Sequence, residues 1–175
     1  MIRKSLALIL LSITLAACGA RSAGNKIDDQ ALHPKVSRAI KEAHVDLTSP
    51  TSHLVITSYN GVILVAGETL REELKQLAGR AAQGVTGVKV VHNELQVAYP
   101  TPGHIRANDG LLTAKVKTRL AAETDAPSTK VKVVTVNGVV YLLGIVSRTE
   151  ADNITYAARQ VGGVQKIVRL FEYIN

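Results

Sequence analysis

The sequence has no tryptophan, one phenylalanine and one cysteine, Cys18. A single cysteine allows no intramolecular disulfide, so the folded part of the chain is held by packing and hydrogen bonds. The scarcity of aromatic residues argues against nucleic-acid binding, because single strands are bound by aromatic side chains that stack on the bases. We therefore expect no nucleic-acid partner.

A long uncharged run stands near the N-terminus. Arg3 and Lys4 precede residues 6–17, which carry no charge and have Leu and Ile at their centre. A run of about a dozen residues is too short to span a bilayer, which needs about 20. It is typical of the apolar segment of a secretory signal peptide, so residues 1–17 are predicted to be removed.

The run ends as Leu15-Ala16-Ala17-Cys18, which resembles the lipobox of bacterial lipoproteins. The resemblance implies cleavage before Cys18 and attachment of diacylglycerol and palmitate to its thiol, with no other cofactor. In lipoproteins an aspartate after the cysteine is the usual signal for inner-membrane retention, and Gly19 stands there instead. The implied location is the outer membrane, lipid-anchored, on the periplasmic face. Small and polar residues follow, and we interpret 18–28 as a lipidated tether.

The charge that remains after signal removal is mildly basic. Loss of Arg3 and Lys4 from 21 basic residues leaves 19, against 14 acidic residues. An excess of this size is compatible with an anionic membrane surface.

The remaining chain contains one unit written twice, as the search for internal repeats shows. Three blocks recur in the same order, at offsets between 76 and 80 residues. The matching blocks are Lys35-Val36 with Lys115-Val116, Asn60-Gly61-Val62 with Asn137-Gly138-Val139, and Ala81-Ala82 with Ala157-Ala158.

Each unit has the same predicted element order: helix, strand, strand, helix, strand. The first helix is indicated by apolar residues at helical spacing, which are Val36 and Ile40 in one unit and Leu112, Val116 and Leu120 in the other. Asp109 is predicted to cap the second of these helices, and Pro34 to lie early in the first. Asp28 and Asp29 are likewise interpreted as residues at a helix start.

The two strands after that helix are joined by Asn-Gly, which favours a type I′ hairpin turn because both central residues need positive φ. Gly61 and Gly138 are therefore expected to be structurally required. Segments beginning at Thr69 and Ser147 resemble capping boxes that open the second helix. A third strand follows, giving a parallel crossover onto the hairpin. The fold class is α+β, with two tandem αββαβ domains, each a small mixed three-stranded sheet with two helices packed on it.

The domain boundaries follow from the repeat. The first domain is assigned to residues 29–99 and the second to 109–175. Two prolines and a glycine mark residues 100–108 as a linker, stiff at the prolines and flexible after them.

The repeated αββαβ unit, with Asn-Gly-Val at its hairpin and Val-x-Gly-Val before its last strand, resembles a BON domain. Two such units behind a lipobox resemble the dual-BON outer-membrane lipoproteins of the DolP type. That family is implicated in envelope integrity, and its second BON domain in binding anionic phospholipid, such as phosphatidylglycerol, through its first helix.

Here that helix corresponds to residues 109–122. The resemblance gives five candidate lipid-binding residues: Gly110, Leu111, Leu112, Lys115 and Lys117. At about 100° per residue, Lys115 lies close to Leu111 on the helix surface, while Lys117 lies on the far flank. An apolar side chain beside a lysine suits a shallow membrane contact. The alternative is that Leu111 packs against the first domain or the linker.

The residue patterns do not favour an enzyme. The five histidines lack metal-ligand spacing, and neither Ser37 nor Ser147 has a base positioned nearby in sequence. The glycine turn at 84–87 runs from helix into strand, the reverse of a phosphate loop, and indicates a helix stop. Three functions remain: a lipid-binding outer-membrane lipoprotein, an adaptor for an outer-membrane assembly protein, and a periplasmic holdase-type chaperone.

Replacing Cys18 by alanine should yield a protein without lipid. The thiol is the expected acceptor, and no second apolar run approaches membrane-spanning length. Metabolic labelling with a palmitate analogue measures the modification directly. Label that persists in the Cys18→Ala protein would refute the lipoprotein assignment.

Overall fold

The computed structural model describes residues 23–174, with side chains from Asp29 onward. Cys18 and the predicted signal peptide lie outside this part. The first domain comprises α1 (Ala23–Ala43), β1 (His53–Tyr59), β2 (Val62–Thr69), α2 (Glu72–Gln83) and β3 (Val90–Val97). The second comprises α3 (Gly103–Ala122), β4 (Val131–Val136), β5 (Val139–Val146), α4 (Arg148–Arg159) and β6 (Lys166–Tyr173).

Each domain contains one three-stranded mixed sheet. In the first, β2 is central, antiparallel to β1 and parallel to β3. In the second, β5 is central, antiparallel to β4 and parallel to β6. The parallel pairs are those that the helices α2 and α4 connect. The predicted pair of αββαβ domains is confirmed.

Both hairpin turns have the predicted geometry. The φ angles are 54° at Asn60 and 80° at Gly61, and 47° at Asn137 and 74° at Gly138. Two successive residues with positive φ are the mark of a type I′ turn, whose twist matches that of the strands it joins.

An aspartate on the first helix of each domain holds the turn. The Asp29 carboxylate accepts the backbone N–H groups of Asn60 at 2.7 Å and Gly61 at 3.0 Å. Asp109 accepts those of Asn137 at 2.7 Å and Gly138 at 2.9 Å. The prediction that Asp109 caps a helix is therefore wrong, as is the placement of Asp29 at a helix start, because both lie inside helices and bond to a distant turn.

The first helix of each domain also begins earlier than predicted. The helix α3 starts at Gly103, directly after Pro102, so residues 103–108 of the predicted linker are helical. The helix α1 starts at Ala23, which places Pro34 in its interior and includes the end of the predicted tether. In α3 the added turns are mostly exposed, with only Ile105 half-buried among residues 103–108. They therefore lack the apolar periodicity that marks a helix in sequence.

One of the two predicted capping boxes forms. The Ser147 hydroxyl accepts the Glu150 N–H, and the Glu150 carboxylate accepts the Ser147 N–H. Thr69 instead ends β2 in the ladder with β3, and its hydroxyl accepts a hydrogen bond from Ser52 at 2.9 Å. The helix α2 begins at Glu72 without a side-chain cap, so the capping prediction for Thr69 is wrong.

Each domain has an apolar core between its helices and one face of its sheet. In the first domain the predicted core residues Val36 and Ile40 pack with Ile63 and Val65 of β2. In the second, Leu112, Val116 and Leu120 pack with Val140 and Leu142 of β5.

The opposite faces of the two sheets pack against each other in a third apolar cluster. The first domain contributes Tyr59, Val62, Leu64 and Ala66, and the second contributes Val136, Tyr141, Leu143 and Leu170. The central strands β2 and β5 are therefore covered on both faces, and the layers run helices, sheet, sheet, helices. Alternation of side chains along a strand puts successive residues in the two different cores.

Polar contacts align the two sheets and fix the linker. The Tyr59 hydroxyl donates to the Lys130 carbonyl at 2.6 Å, and the Asn60 amide donates to Glu172 at 2.9 Å. Between the two linker prolines, Thr101 donates its hydroxyl and its N–H to the buried carboxylate of Glu68, at 2.6 and 3.1 Å. The linker is thus bonded to β2, and helix α3 follows it at once.

Interface burial should make stability fall at alkaline pH. Burial raises the pKa of Tyr141 to about 12, with the carboxylates of Glu94 and Glu68 adding to the effect. An unfolded tyrosine ionises near pH 10. The folded state holds the proton more tightly, so this stabilisation is complete below about pH 10 and is lost between about 10 and 12, by roughly 2–3 kcal/mol. Urea unfolding at about pH 9 and about pH 11 should show a smaller pH-dependent loss in Tyr141→Phe. Equal losses in the two proteins would contradict this account.

The glycines should differ sharply in their tolerance of a side chain. At Gly67, with φ of 115°, a Cβ would overlap the His53 carbonyl oxygen, so Gly67→Ala should cost more than about 2 kcal/mol. Gly61→Ala meets mainly the flexible Lys89 side chain and should cost about 1 kcal/mol for its positive φ. Gly110 lies within a helix, and a Cβ added there would meet no atom within 4 Å. Gly110→Ala should therefore stabilise the folded protein by up to about 1 kcal/mol. Thermal melts of the three variants test the order, and a Gly67→Ala protein as stable as the parent would refute it.

Candidate functional site

The helix α3 is positioned by three different contacts. Leu112, Val116 and Leu120 bury one side of it in the domain core. Asp109 bonds to the hairpin turn, and the Thr113 and Thr135 hydroxyls are 2.8 Å apart, which joins the helix to β4. These contacts fix the rotation of α3 about its axis and therefore decide which residues face outward.

The structure separates the five candidate lipid-binding residues into three groups. Leu111 is 63 % exposed, and Lys115 is exposed on the same side of the helix. Leu112 is 8 % exposed and packs in the core, so it does not belong to the surface. Gly110 and Lys117 are exposed on another flank. The exposure of Leu111 contradicts the alternative that this side chain packs against the first domain or the linker.

Leu111 and Lys115 belong to an apolar stripe along α3. The other lining residues of this shallow depression are Ala114, Thr118, Arg119 and Ala122. The small side chains next to Leu111 do not cover it, and the cations Lys115 and Arg119 follow it along the stripe at four and eight residues. Arg119 is ion-paired with Glu123 one turn later. The three small residues were not predicted as part of the site, although successive spacings of three, four and four residues from Leu111 place them on one face of the helix.

A second depression lies where α3 meets the hairpin turn and the glycine turn after α4. It has a volume of about 320 Å³, and Leu111 and Lys115 form part of its rim. The first domain has the corresponding depression, of about 230 Å³, at its own turns. There Ala31 occupies the position of Leu111, and Lys35 that of Lys115. The two domains thus share this surface feature, but at one exposed position the second domain has Leu111 where the first has Ala31.

Gly110 faces a groove between the two domains. The groove is lined by residues of β1, β4 and α3, among them Val55, Val134, Arg106 and Thr113. Leu111 is not part of its lining. Gly110 and Leu111, although adjacent in sequence, therefore face different surroundings.

Three of the polar side chains considered in the sequence have structural roles. Asp29 and Asp109 hold the hairpin turns, and His44 accepts the Asp46 N–H at 3.0 Å. Within the part of the chain that the structure describes, no group of three or more His, Cys, Asp or Glu side chains is arranged to hold a metal ion. No helix among those described residues is long and apolar enough to cross a membrane.

The chain is similar to several characterised proteins over most of its length. It is 33 % identical over 156 residues to the outer membrane lipoprotein DolP of Haemophilus influenzae, covering 89 % of this chain and 79 % of that one. It is 30 % identical, with the same coverage, to a 21 kDa hemolysin of Actinobacillus pleuropneumoniae. It is 31 % identical over 147 residues to the osmotically-inducible protein Y of Escherichia coli, covering 82 % of this chain and 72 % of that one.

The family comparison agrees with the two domains of the structure. The BON domain model matches twice, at residues 28–99 and 108–175. Together with the αββαβ topology of both halves, these matches show that the chain belongs to the BON domain family and carries the domain in tandem.

Proposed function

We propose that this protein is a lipid-anchored outer-membrane lipoprotein, facing the periplasm, that binds anionic phospholipid through helix α3 and supports the integrity of the outer membrane. The proposed location is supported by the lipobox ending at Cys18 and by the similarity to an outer membrane lipoprotein. On this proposal the protein is a binding module, and its chain carries no catalytic step.

The observation that carries the proposal is the exposed position of Leu111 beside Lys115. A leucine that is 63 % exposed loses contact with water when it enters the acyl region below the headgroups. With Leu111 inserted, Lys115, one helical turn away, would lie at the level of the headgroups, where its ammonium group can contact a phosphate. The first domain presents Ala31 and Lys35 at the matching positions, so it has the cation without the apolar anchor.

Binding of the soluble chain of residues 19–175, made without the lipid, to vesicles tests the proposal. The whole chain is used because separating the domains would uncover the apolar faces of both sheets. We expect binding to phosphatidylglycerol vesicles, little binding to phosphatidylcholine vesicles, and weakening by salt, since charge attraction is screened over about 10 Å at 0.1 M.

Leu111→Asp should abolish this binding with little change in melting temperature, because the side chain lies outside the core. Lys115→Glu should weaken binding by about tenfold or more, since each cation near an anionic surface contributes about 1 kcal/mol. Lys117→Glu should have a smaller effect. Lys35→Glu is the matched control in the first domain and should leave binding unchanged. Equal binding to both lipids, or a Leu111→Asp protein that still binds, would rule out α3 as the site.

A further inference from the structure

The helices α3 and α4 form the outer layer of the second domain. Near one end, the Asn153 amide donates to the Asp125 carbonyl just beyond α3, at 3.2 Å. Near the other end, Gly163, just beyond α4, lies against the Leu112 side chain of α3. These two contacts place the helices side by side and antiparallel, with the sheet beneath both.

Tyr156 projects from α4 on the outer side of this layer. It is 66 % exposed, whereas Ile154, Ala157 and Ala158 on the same helix are buried in the core. At about 100° per residue, Tyr156 is about 200° from Ile154, so it points away from the sheet. Leu111 is placed in the same way on α3, about 140° from the buried Val116. The two side chains therefore stand on one surface.

In the described part of the chain, the second domain alone has this pair of exposed apolar side chains on its helices. Among the described side chains, from residue 29 to 174, Leu111 and Tyr156 are the only large apolar ones on an α-helix that are strongly exposed. The repeat offsets of 80 and 76 place Ala31 and Arg80 at the matching positions of the first domain. At both positions it is therefore the second domain that has the large apolar residue, and both residues lie on its helical layer.

The charges on this layer favour an anionic partner. Lys115, Arg119 and Arg159 are exposed on it. Glu123 pairs with Arg119 and Asp152 pairs with Arg169 at 3.0 Å, so Lys115 and Arg159 are the cations of the layer that are not used in these two pairs. Tyrosine suits the headgroup region of a bilayer because its ring is apolar and its hydroxyl is polar.

We infer that Tyr156 is a second anchor in the membrane contact, so that the α3–α4 layer as a whole, and not α3 alone, rests on an anionic bilayer. The inference rests on the proposed function. It adds a named residue on a separate helix, and it requires the helical layer to lie parallel to the membrane surface, since the two anchors are on neighbouring helices.

The test uses the soluble chain of residues 19–175 and phosphatidylglycerol vesicles. Tyr156→Ser should lower vesicle affinity about fivefold, the effect of removing roughly 40 Å² of apolar contact, at an unchanged melting temperature. Tyr99→Ser is the matched control, because Tyr99 is 86 % exposed but lies between β3 and α3 and belongs to neither helix of the layer. It should bind like the parent.

A reporter for insertion is available because the chain has no tryptophan. Tyr156→Trp and Tyr99→Trp each introduce a single indole, and brominated phosphatidylglycerol should quench the first and not the second. If the parent and both tryptophan proteins bind but Trp fluorescence at position 156 is not quenched, and Tyr156→Ser binds normally, the second anchor is refuted while α3 binding stands. A parent that does not bind the vesicles would refute both.

Discussion

The packing of the two sheets against each other is the constraint on which the rest of the molecule depends. A three-stranded sheet covered on one face by two helices leaves its other face apolar, and here each domain supplies the cover for its neighbour. With Cys18 as the only cysteine, this packing is not reinforced by a disulfide. As a result the sheets are interior, the helical layers are outermost, and contacts with other molecules fall to the helices and to the sheet edges.

Local signals in the sequence were sufficient for much of the fold. The Asn-Gly turns and the Ser147 capping box depend on residues within a few positions of one another, and the core stripe of α3 depends on helical periodicity. The interface between the two sheets was not predicted, although it also has a signal in the sequence. The run of apolar residues over 62–66 lacks the alternation of a strand with one solvated face, and such a run indicates burial on both faces.

The incorrect predictions involved residues whose partners are distant in sequence. Asp109 was assigned to a helix cap because capping is the commonest local role of an aspartate, whereas its partners are 28 and 29 residues away. Thr69 fits the capping pattern in sequence, but in the structure its hydroxyl bonds to Ser52 and its backbone pairs with β3. For the candidate site, helical geometry placed Leu111 and Lys115 on one face correctly. It could not include Tyr156, because nothing in the sequence shows that α4 lies beside α3.

The aspartate that holds each hairpin has a consequence for how the two domains diverge. A carboxylate bonded to two successive N–H groups of the hairpin fixes the rotation of the helix about its own axis. The residue two positions after the aspartate therefore faces outward in both domains. In one domain that residue is Ala31 and in the other Leu111, each two residues after its aspartate. The outward-facing position can therefore change its chemistry without disturbing the core, and duplication gives one copy the freedom to acquire an apolar group while the other keeps a small one.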